Sequence, residues 1–458
     1  MRNLDDVIKA YDVRGTYPEQ IDEDLAYALG GAFVRVIGAA ARDGGPGAVV
    51  IGRDMRPSGP DLVAAFANGV LDQGCDVIKI GLCSTDGIYF ASGSTGLPGA
   101  MFTASHNPAQ YNGIKLCRAG ASPVSQDTGL VAMKEMVIRG VPSFDGPTGH
   151  ARDEDMLEGY AEYLRNLVPL DGIRPLKVVI DAGNGMAGFT APTVLGRLPL
   201  DIVPLYFELD GNFPNHEANP IDPKNMVDTQ RAVIAHGADL GLAFDGDADR
   251  CFVVDERGDV VDPSTLTALI ASLELAKSPG SPVIHNLITS RAVPEVITEH
   301  GGTPVRTRVG HSFIKAKMAE TGAIFGGEHS GHFYFQDFWR ADSGMLAALH
   351  VLSFVGHTPP GSNLSELLGE FSRYSLSGEI NTEVADTQAA ITAVREVFEG
   401  QKGVTIDTLD GMTVSGEDWW FNLRPSNTEP LLRLNVEAPD TEYMARIRDQ
   451  VLSIFRTA

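Results

Sequence analysis

The chain has 458 residues, 43% apolar and 21% charged, which is more than one hydrophobic core organises, so several domains are expected. A net charge of −24 argues against a general affinity for nucleic acid, which needs a surplus of Lys and Arg on one face, and leaves room for a small anionic substrate where a site is locally basic. The opening MRNLDDVIKAYDVRG lacks the apolar stretch of a secretion signal, no run reaches the roughly 18 apolar residues of a membrane span, and Cys75, Cys83, Cys117 and Cys251 form no CxxC pair. The expectation is a soluble, cytoplasmic protein with reduced, packed thiols and no membrane partner.

In chain order, GAVVIG (47–52) reads as a strand, SGPDLVAAFANGVLDQG (58–74) as a helix and DVIKIG (76–81) as another strand, an alternation that implies parallel strands covered by helices. After the acidic stretch 151–160, LKVVIDAGNGMAG (176–188) restarts as a buried strand running into a glycine-rich turn, followed by LDIVPLYF (200–207) and ADLGLAF (238–244). A third unit opens with the helical STLTALIASLELAK (264–277), then SPVIHNLITS (281–290) and the helix start RAVPEVITEHG (291–301). It continues through SFIKAKMAETG (312–322) to the helix DSGMLAALHVLSFVG (342–356). The tail has short strands, VTIDTL (404–409) and LLRLNVEA (431–438), around the helical 387–400. The expected segments are 1–150, 151–257 and 258–370, each α/β, and a smaller α+β domain over 371–458.

Four motifs carry chemistry. In FDGDADRCFVVDE (244–256), Asp245, Asp247 and Asp249 alternate after an apolar strand; in an extended or gently curved segment they would face one way and converge on a hard cation. An EF-hand competes because Glu256 stands at the twelfth position, but Arg250 occupies the place of the required Gly and β-type runs flank the motif. A solvated acidic loop is the plain alternative. Arg250 beside a metal could fork onto phosphate oxygens.

In AMFTASHNPAQYNGIKL (100–116) an apolar strand opens into a turn with Ser105, His106 and Asn107; a serine among anion-attracting N–H groups can accept a phosphoryl group, although a capping serine before a proline turn has the same appearance. Lys115 could neutralise charge there, or move a proton if burial lowers its pKa.

In GGEHSGHFYF (326–335), Glu328 and Ser330 are two apart and suit sugar hydroxyls, whereas zinc held by His329 and His332 lacks further ligands at that spacing. In NLRPSNTEPLLRLNVEA (422–438), Arg424, Ser426, Asn427 and Thr428 form a donor-rich loop before a strand, suited to a phosphate dianion. Glu429 at the acceptor position excludes glycosylation of Asn427.

These four motifs, with KAYDVRG (9–15), occur in an order that resembles the α-D-phosphohexomutase superfamily over essentially the whole chain. The resemblance implies three similar mixed α/β domains and a smaller C-terminal α+β domain around a central cleft, and an isomerase that moves a phosphoryl group between the 1 and 6 positions of a hexose.

Carried over by resemblance, Ser105 is the phosphoserine, and Asp245, Asp247 and Asp249 bind Mg2+ with an oxygen of phosphorylated Ser105 as fourth ligand. Arg14, His106, Lys115 and Arg250 surround the transferring group. Glu328, Ser330, His311 and Arg308 meet the sugar, with Arg308 standing where lysine is expected in some relatives. Arg424, Ser426, Asn427 and Thr428 hold the other phosphate.

GEHSGH and RPSNTEP are closer to the phosphomannomutase/phosphoglucomutase branch than to the phosphoglucosamine branch. The expected reaction interconverts mannose 1- and 6-phosphate through a hexose 1,6-bisphosphate that is both activator and intermediate. Glucose-phosphate or dual-specificity turnover is the alternative, phosphoglucosamine turnover a weaker one, and a sugar-phosphate phosphatase or a silent sensor the alternatives of another class. The partners expected are hexose phosphates alone, and the assembly a monomer or homodimer.

Overall fold

The computed structural model describes residues 3–39, 47–425 and 431–456, arranged as two compact units: Met1–Asp262 with Ser330–Leu367, and Pro263–His329 with Leu368–Ala458. Among the described residues, the first unit contains a mixed sheet in the order Val13–Thr16, Tyr111–Arg118, Gly99–Phe102, Ala48–Arg53, Asp76–Leu82 and Ala151–Asp153, with Ser122–Pro123 beside Tyr111–Arg118. Ala48–Arg53 is parallel to both its neighbours and buried through its middle, as expected of an apolar run covered by helices; Gly59–Leu71 and Thr85–Thr95 both pack on it.

The alternation over 47–81 implied parallel strands, and Ala48–Arg53 and Asp76–Leu82 are parallel. Tyr111–Arg118 instead runs antiparallel to Gly99–Phe102 and to Val13–Thr16. A short connection that turns at Ser105 cannot supply the long crossover a parallel return needs.

Helices Glu23–Val36 and Gly59–Leu71 cover the sheet through a core that includes Phe33, Phe66, Phe102, Val49 and Ile51, with the Phe66 and Phe102 rings edge-on at 5.4 Å. The two helices touch backbone to backbone. A Cβ on Gly30 would lie 2.1 Å from the carbonyl oxygen of Phe66, and one on Gly69 would lie 2.0 Å from that of Tyr27.

The second sheet of this unit has the order Val260–Val261, Cys251–Asp255, Leu240–Phe244, Leu176–Asp181 and Leu200–Leu205. Leu176–Asp181 is parallel to both neighbours, so the loops after Asp181 and Phe244 leave from the same carboxyl end of the sheet. Phe333–Phe335 and Ala341–Asp342 form an antiparallel pair in the same unit.

In the second unit, Pro282–Asn286 lies parallel between Thr303–Thr307 and Phe325–Gly327. An antiparallel sheet in the order Ser375–Leu376, Leu431–Ala438, Trp420–Pro425, Met412–Ser415 and Thr405–Asp407, with Ile380–Glu383 also on Leu431–Ala438, buries one face under helices Thr387–Phe398 and Thr441–Arg456. Cys75, Cys83, Cys117 and Cys251 are buried and unbridged. Among the described residues no helix is long and apolar enough to cross a membrane.

Because the Gly30 contact is with backbone, it cannot be relieved by a rotamer change. Gly30→Ala is expected to lower stability by about 1–3 kcal/mol, read as a fall in the urea midpoint at unchanged slope; an unchanged midpoint would contradict the packing.

Candidate active site

Strand Gly99–Phe102 ends three residues before Ser105, whose φ of +51° turns the chain through the left-handed region. The turn is held from two sides. Thr103 Oγ1 accepts the Ser105 N–H at 2.8 Å, and the guanidinium of Arg56, wholly buried, receives the loop's carbonyls. Arg56 Nη2 donates to Ser105 O (2.9 Å) and Asn107 O (2.6 Å), Nη1 to Pro108 O (2.9 Å) and Tyr111 O (2.8 Å), and Nε to Asp54 Oδ2 (3.2 Å). All five guanidinium donors are thus used, a geometry lysine cannot reproduce. Ser105 Oγ donates to Asp245 Oδ2 at 2.9 Å and lies 3.2 Å from His106 Nδ1. Arg14 Nη1 reaches Asn107 Oδ1 at 2.7 Å.

The aspartate segment is not the gently curved strand that the sequence suggested. Strand Leu240–Phe244 stops before Asp245, and a turn with Ala248 at φ +58° brings the three carboxylates together. A ligand oxygen from each lies within 4.8 Å of the others. Gly246 lets this turn approach the serine loop, since a Cβ there would sit 2.5 Å from Ser105 O.

Arg250 Nε donates to Asp245 Oδ2 at 2.9 Å. Lys115 Nζ bridges Asp247 Oδ2 (2.7 Å) and Asp249 Oδ2 (2.6 Å), and Thr85 Oγ1 also donates to Asp247 Oδ2 (2.5 Å). Arg250 Nη2 also lies 2.9 Å from Asp245 Oδ2, whereas Asp247 Oδ1 and Asp249 Oδ1 are buried with no hydrogen-bond partner among the described residues.

Burial pushes the Asp245 carboxyl up, against the pull of Arg250. Burial would also raise Asp247, but Lys115 outweighs it and holds that carboxyl well below the usual range. Burial alone would lower Lys115, yet Asp247 and Asp249 together hold it above the ordinary lysine range, so the condition set for proton transfer, a lowered pKa, is not met and the charge-neutralising alternative is the one this geometry favours. Burial, with Arg250 and Arg14, keeps His106 neutral.

The donor set fits a hard divalent cation. Three buried carboxylates face only buried Arg250 and half-buried Lys115, and two of their oxygens are unused. The zinc pair considered from sequence is not what forms here: His332 Nε2 lies 3.6 Å from Asp249 Oδ1, in a group with Asp249 and Asp342, while its Nδ1 meets Ser330 Oγ at 2.9 Å. His329 Nε2 faces Glu379 Oε2 at 3.9 Å.

In the second unit Glu328, buried, accepts from Gly310 N at 3.1 Å and Asn286 Nδ2 at 3.4 Å. Arg308 is exposed and stacks over Phe313 with 4.9 Å to the ring centroid; His311 opens helix His311–Thr321. Arg424 stands near the end of strand Trp420–Pro425, bound to Glu379 Oε2 at 3.2 Å. Ser426, Asn427 and Thr428 lie outside the described residues.

Arg56, Thr85 and His332 were not singled out from sequence for these contacts. A charged side chain three residues after a buried strand was the available signal for Arg56, and Thr85 gave only that of a helix start.

Two outcomes follow from this geometry. Arg56→Met leaves Asp54 buried without its cation and takes a donor from each of four carbonyls, and is expected to cost about 3–5 kcal/mol in urea unfolding. Asp86, buried beneath the site, receives Ser84 Oγ, Ser343 Oγ (2.6 Å) and Tyr160 Oη (2.8 Å), and burial raises its pKa from 3.8 to about 6. The folded state therefore binds this proton more tightly than the unfolded state, and the contribution of Asp86 falls as pH rises from about 4 to about 6. Relative to Asp86→Asn, wild-type stability should decline by about 2–3 kcal/mol across that window and stay level above it; parallel stability curves would contradict the assignment.

Profiles of the phosphoglucomutase/phosphomannomutase family match in all parts: α/β/α domain I over residues 5–134, domain II over 158–258, domain III over 262–374 and the C-terminal domain over 379–454. The phosphohexose mutases of Xanthomonas campestris pv. campestris are 41% identical over 97% of this chain and 98% of their own length. The phosphomannomutase of Salmonella montevideo is 40% identical over 96% of each chain. A crystal structure of a phosphoglucomutase/phosphomannomutase family protein from Burkholderia thailandensis superposes with a TM-score of 0.88 at 33% identity, covering 100% of this chain and 97% of the other. With full-length identity of this order and all four domains matched, the chain belongs to the phosphoglucomutase/phosphomannomutase family and is an isomerase of the phosphohexomutase class.

Proposed function

We propose that the chain interconverts mannose 1-phosphate and mannose 6-phosphate, carrying the phosphoryl group on Ser105 and passing through a hexose 1,6-bisphosphate. The observation that carries this reading is the Ser105 hydroxyl held 2.9 Å from Asp245 beside two unsatisfied carboxylate oxygens. The phosphomannomutase name borne by a relative at 40% identity supports the choice of sugar.

In the forward half-reaction the P–Oγ bond of phosphorylated Ser105 breaks as a P–O bond to the free sugar hydroxyl forms. The hydroxyl's proton must leave, and a proton must return to Oγ. His106, neutral and 3.2 Å from Oγ, is assigned to hold the proton at the serine end. Lys115 and Arg250 supply fixed positive charge, and the Arg250 guanidinium, paired with Asp245, is assigned to offset charge on the phosphoryl oxygens. Arg14 orients the turn through Asn107.

Asp245, Asp247 and Asp249 are assigned to hold Mg2+, with an oxygen of phosphorylated Ser105 as a further ligand; that ion would offset charge on the phosphoryl oxygens. Glu328, Ser330, His311 and Arg308 are assigned to the sugar, and Arg424 with Ser426, Asn427 and Thr428 to the phosphate that is not reacting. The bisphosphate must turn round so that either phosphate can face Ser105.

Purified protein with Mg2+ and a trace of hexose bisphosphate should convert mannose 1-phosphate to the 6-phosphate faster than it converts the glucose or glucosamine 1-phosphates. Ser105→Ala should lose about 10^4-fold or more of this activity. Activity untouched by that substitution would remove Ser105 as nucleophile. Free phosphate released in step with turnover would indicate a phosphatase, and glucose phosphate turned over fastest would reassign the sugar.

A further inference from the structure

We propose that Thr85 is a positioning residue for Asp247, fixing which of its carboxylate oxygens is presented to the divalent ion. The proposal rests on the reading of the aspartate cluster as the cation site.

Asp247 lies on a turn between strands, where nothing in regular secondary structure sets its side-chain torsions, yet it is fully buried. Its two oxygens are treated unequally. Oδ2 receives Thr85 Oγ1 at 2.5 Å and Lys115 Nζ at 2.7 Å, while Oδ1 has no partner among the described residues. Thr85 also donates its backbone N–H to Asp247 O at 3.0 Å. One residue thus grips another at two points, main chain and side chain, which fixes both the height of the turn and the rotation of the carboxylate.

The two donors on Oδ2 are not equivalent. Lys115 reaches it at the end of a long, flexible stem and divides itself between Asp247 and Asp249. Thr85 is β-branched, stiff at its first torsion, and is the first residue of helix Thr85–Thr95, so the N–H that it gives is one that the helix cannot use internally. The positive end of that helix faces the carboxylate, an arrangement that favours the charged form.

The helix start is itself anchored. Ser84 caps it through the Gly87 N–H, and Asp86 gathers Ser84, Tyr160 and Ser343 around one buried carboxylate. Thr85 is wholly buried, so it cannot meet a hexose phosphate and acts only through Asp247. The contact also ties the sheet that carries Ser105 to the sheet that carries the aspartates, both within the first unit.

The test is calorimetric titration of the full-length chain with Mn2+, which reads binding without turnover. Thr85→Val keeps the branched shape and removes the donor; it should weaken Mn2+ binding about 10–100-fold, the range seen when a group that orients a metal ligand is lost. Thr85→Ser restores the hydroxyl and should bind within about threefold of wild type. Melting temperatures check that each variant is folded, and Thr85→Ala is read in the same way if the valine variant does not fold.

Wild-type affinity in Thr85→Val, or Thr85→Ser as weak as Thr85→Val, overturns the proposal, the second because it assigns the effect to the methyl group. Asp247→Asn separates this from failure of the underlying reading. If wild type binds no Mn2+, or binds it equally well with Asp247→Asn, the cluster is not the cation site and both readings fall together.

Discussion

Asp245, Asp247 and Asp249 are carried out of water with only Lys115 and Arg250 beside them, and this unbalanced charge governs the first unit. A buried carboxylate without compensation is among the more costly things a fold can hold. The surroundings are arranged accordingly: Asp245 is fixed by the Arg250 side chain, Asp247 by Thr85 and Lys115, and Asp249 by the same lysine. Within the cluster, what remains without a partner among the described residues is two carboxylate oxygens, Asp247 Oδ1 and Asp249 Oδ1, a donor set suited to a hard cation.

Such a cluster has to be held by rigid elements, and the two sheets of the first unit supply them. The serine loop leaves the carboxyl end of Gly99–Phe102 and the aspartate turn leaves that of Leu240–Phe244, so both come from the ends of buried strands. Two non-glycine residues in the left-handed region, Ser105 and Ala248, lie at the site. Backbone of that kind persists only where its surroundings over-determine it. For Ser105 the determinant is Arg56, whose burial would otherwise be unfavourable and which is fully satisfied by the loop that it restrains.

Much of this was legible in the sequence, and the part that was not has a common cause. The alternation of apolar runs located most of the strands and helices of the α/β regions, and the order of motifs was enough to identify the superfamily. The antiparallel return of Tyr111–Arg118 was missed because its apolar pattern says nothing of direction, which is set by the length of the preceding connection. The spacing of the aspartates was visible, but their convergence was attributed to an extended segment when a left-handed turn at Ala248 produces it. Arg56 and Thr85 act through contacts 49 and 162 residues distant in sequence, so no local pattern could reveal them. The pKa of Lys115 depended on two partners more than 130 residues away, and the sequence could state only the condition, not its outcome.

The bond from Ser105 Oγ to Asp245 has a consequence for the state of the enzyme between turnovers. It exists only while the serine has a hydrogen to give. Were the oxygen esterified, as the proposed mechanism requires, Asp245 Oδ2 would lose that donor and keep only those of Arg250, leaving more of its charge for a cation that accompanies the ester. Under the proposed mechanism, esterification and ion occupancy would therefore be thermodynamically linked through a single carboxylate oxygen.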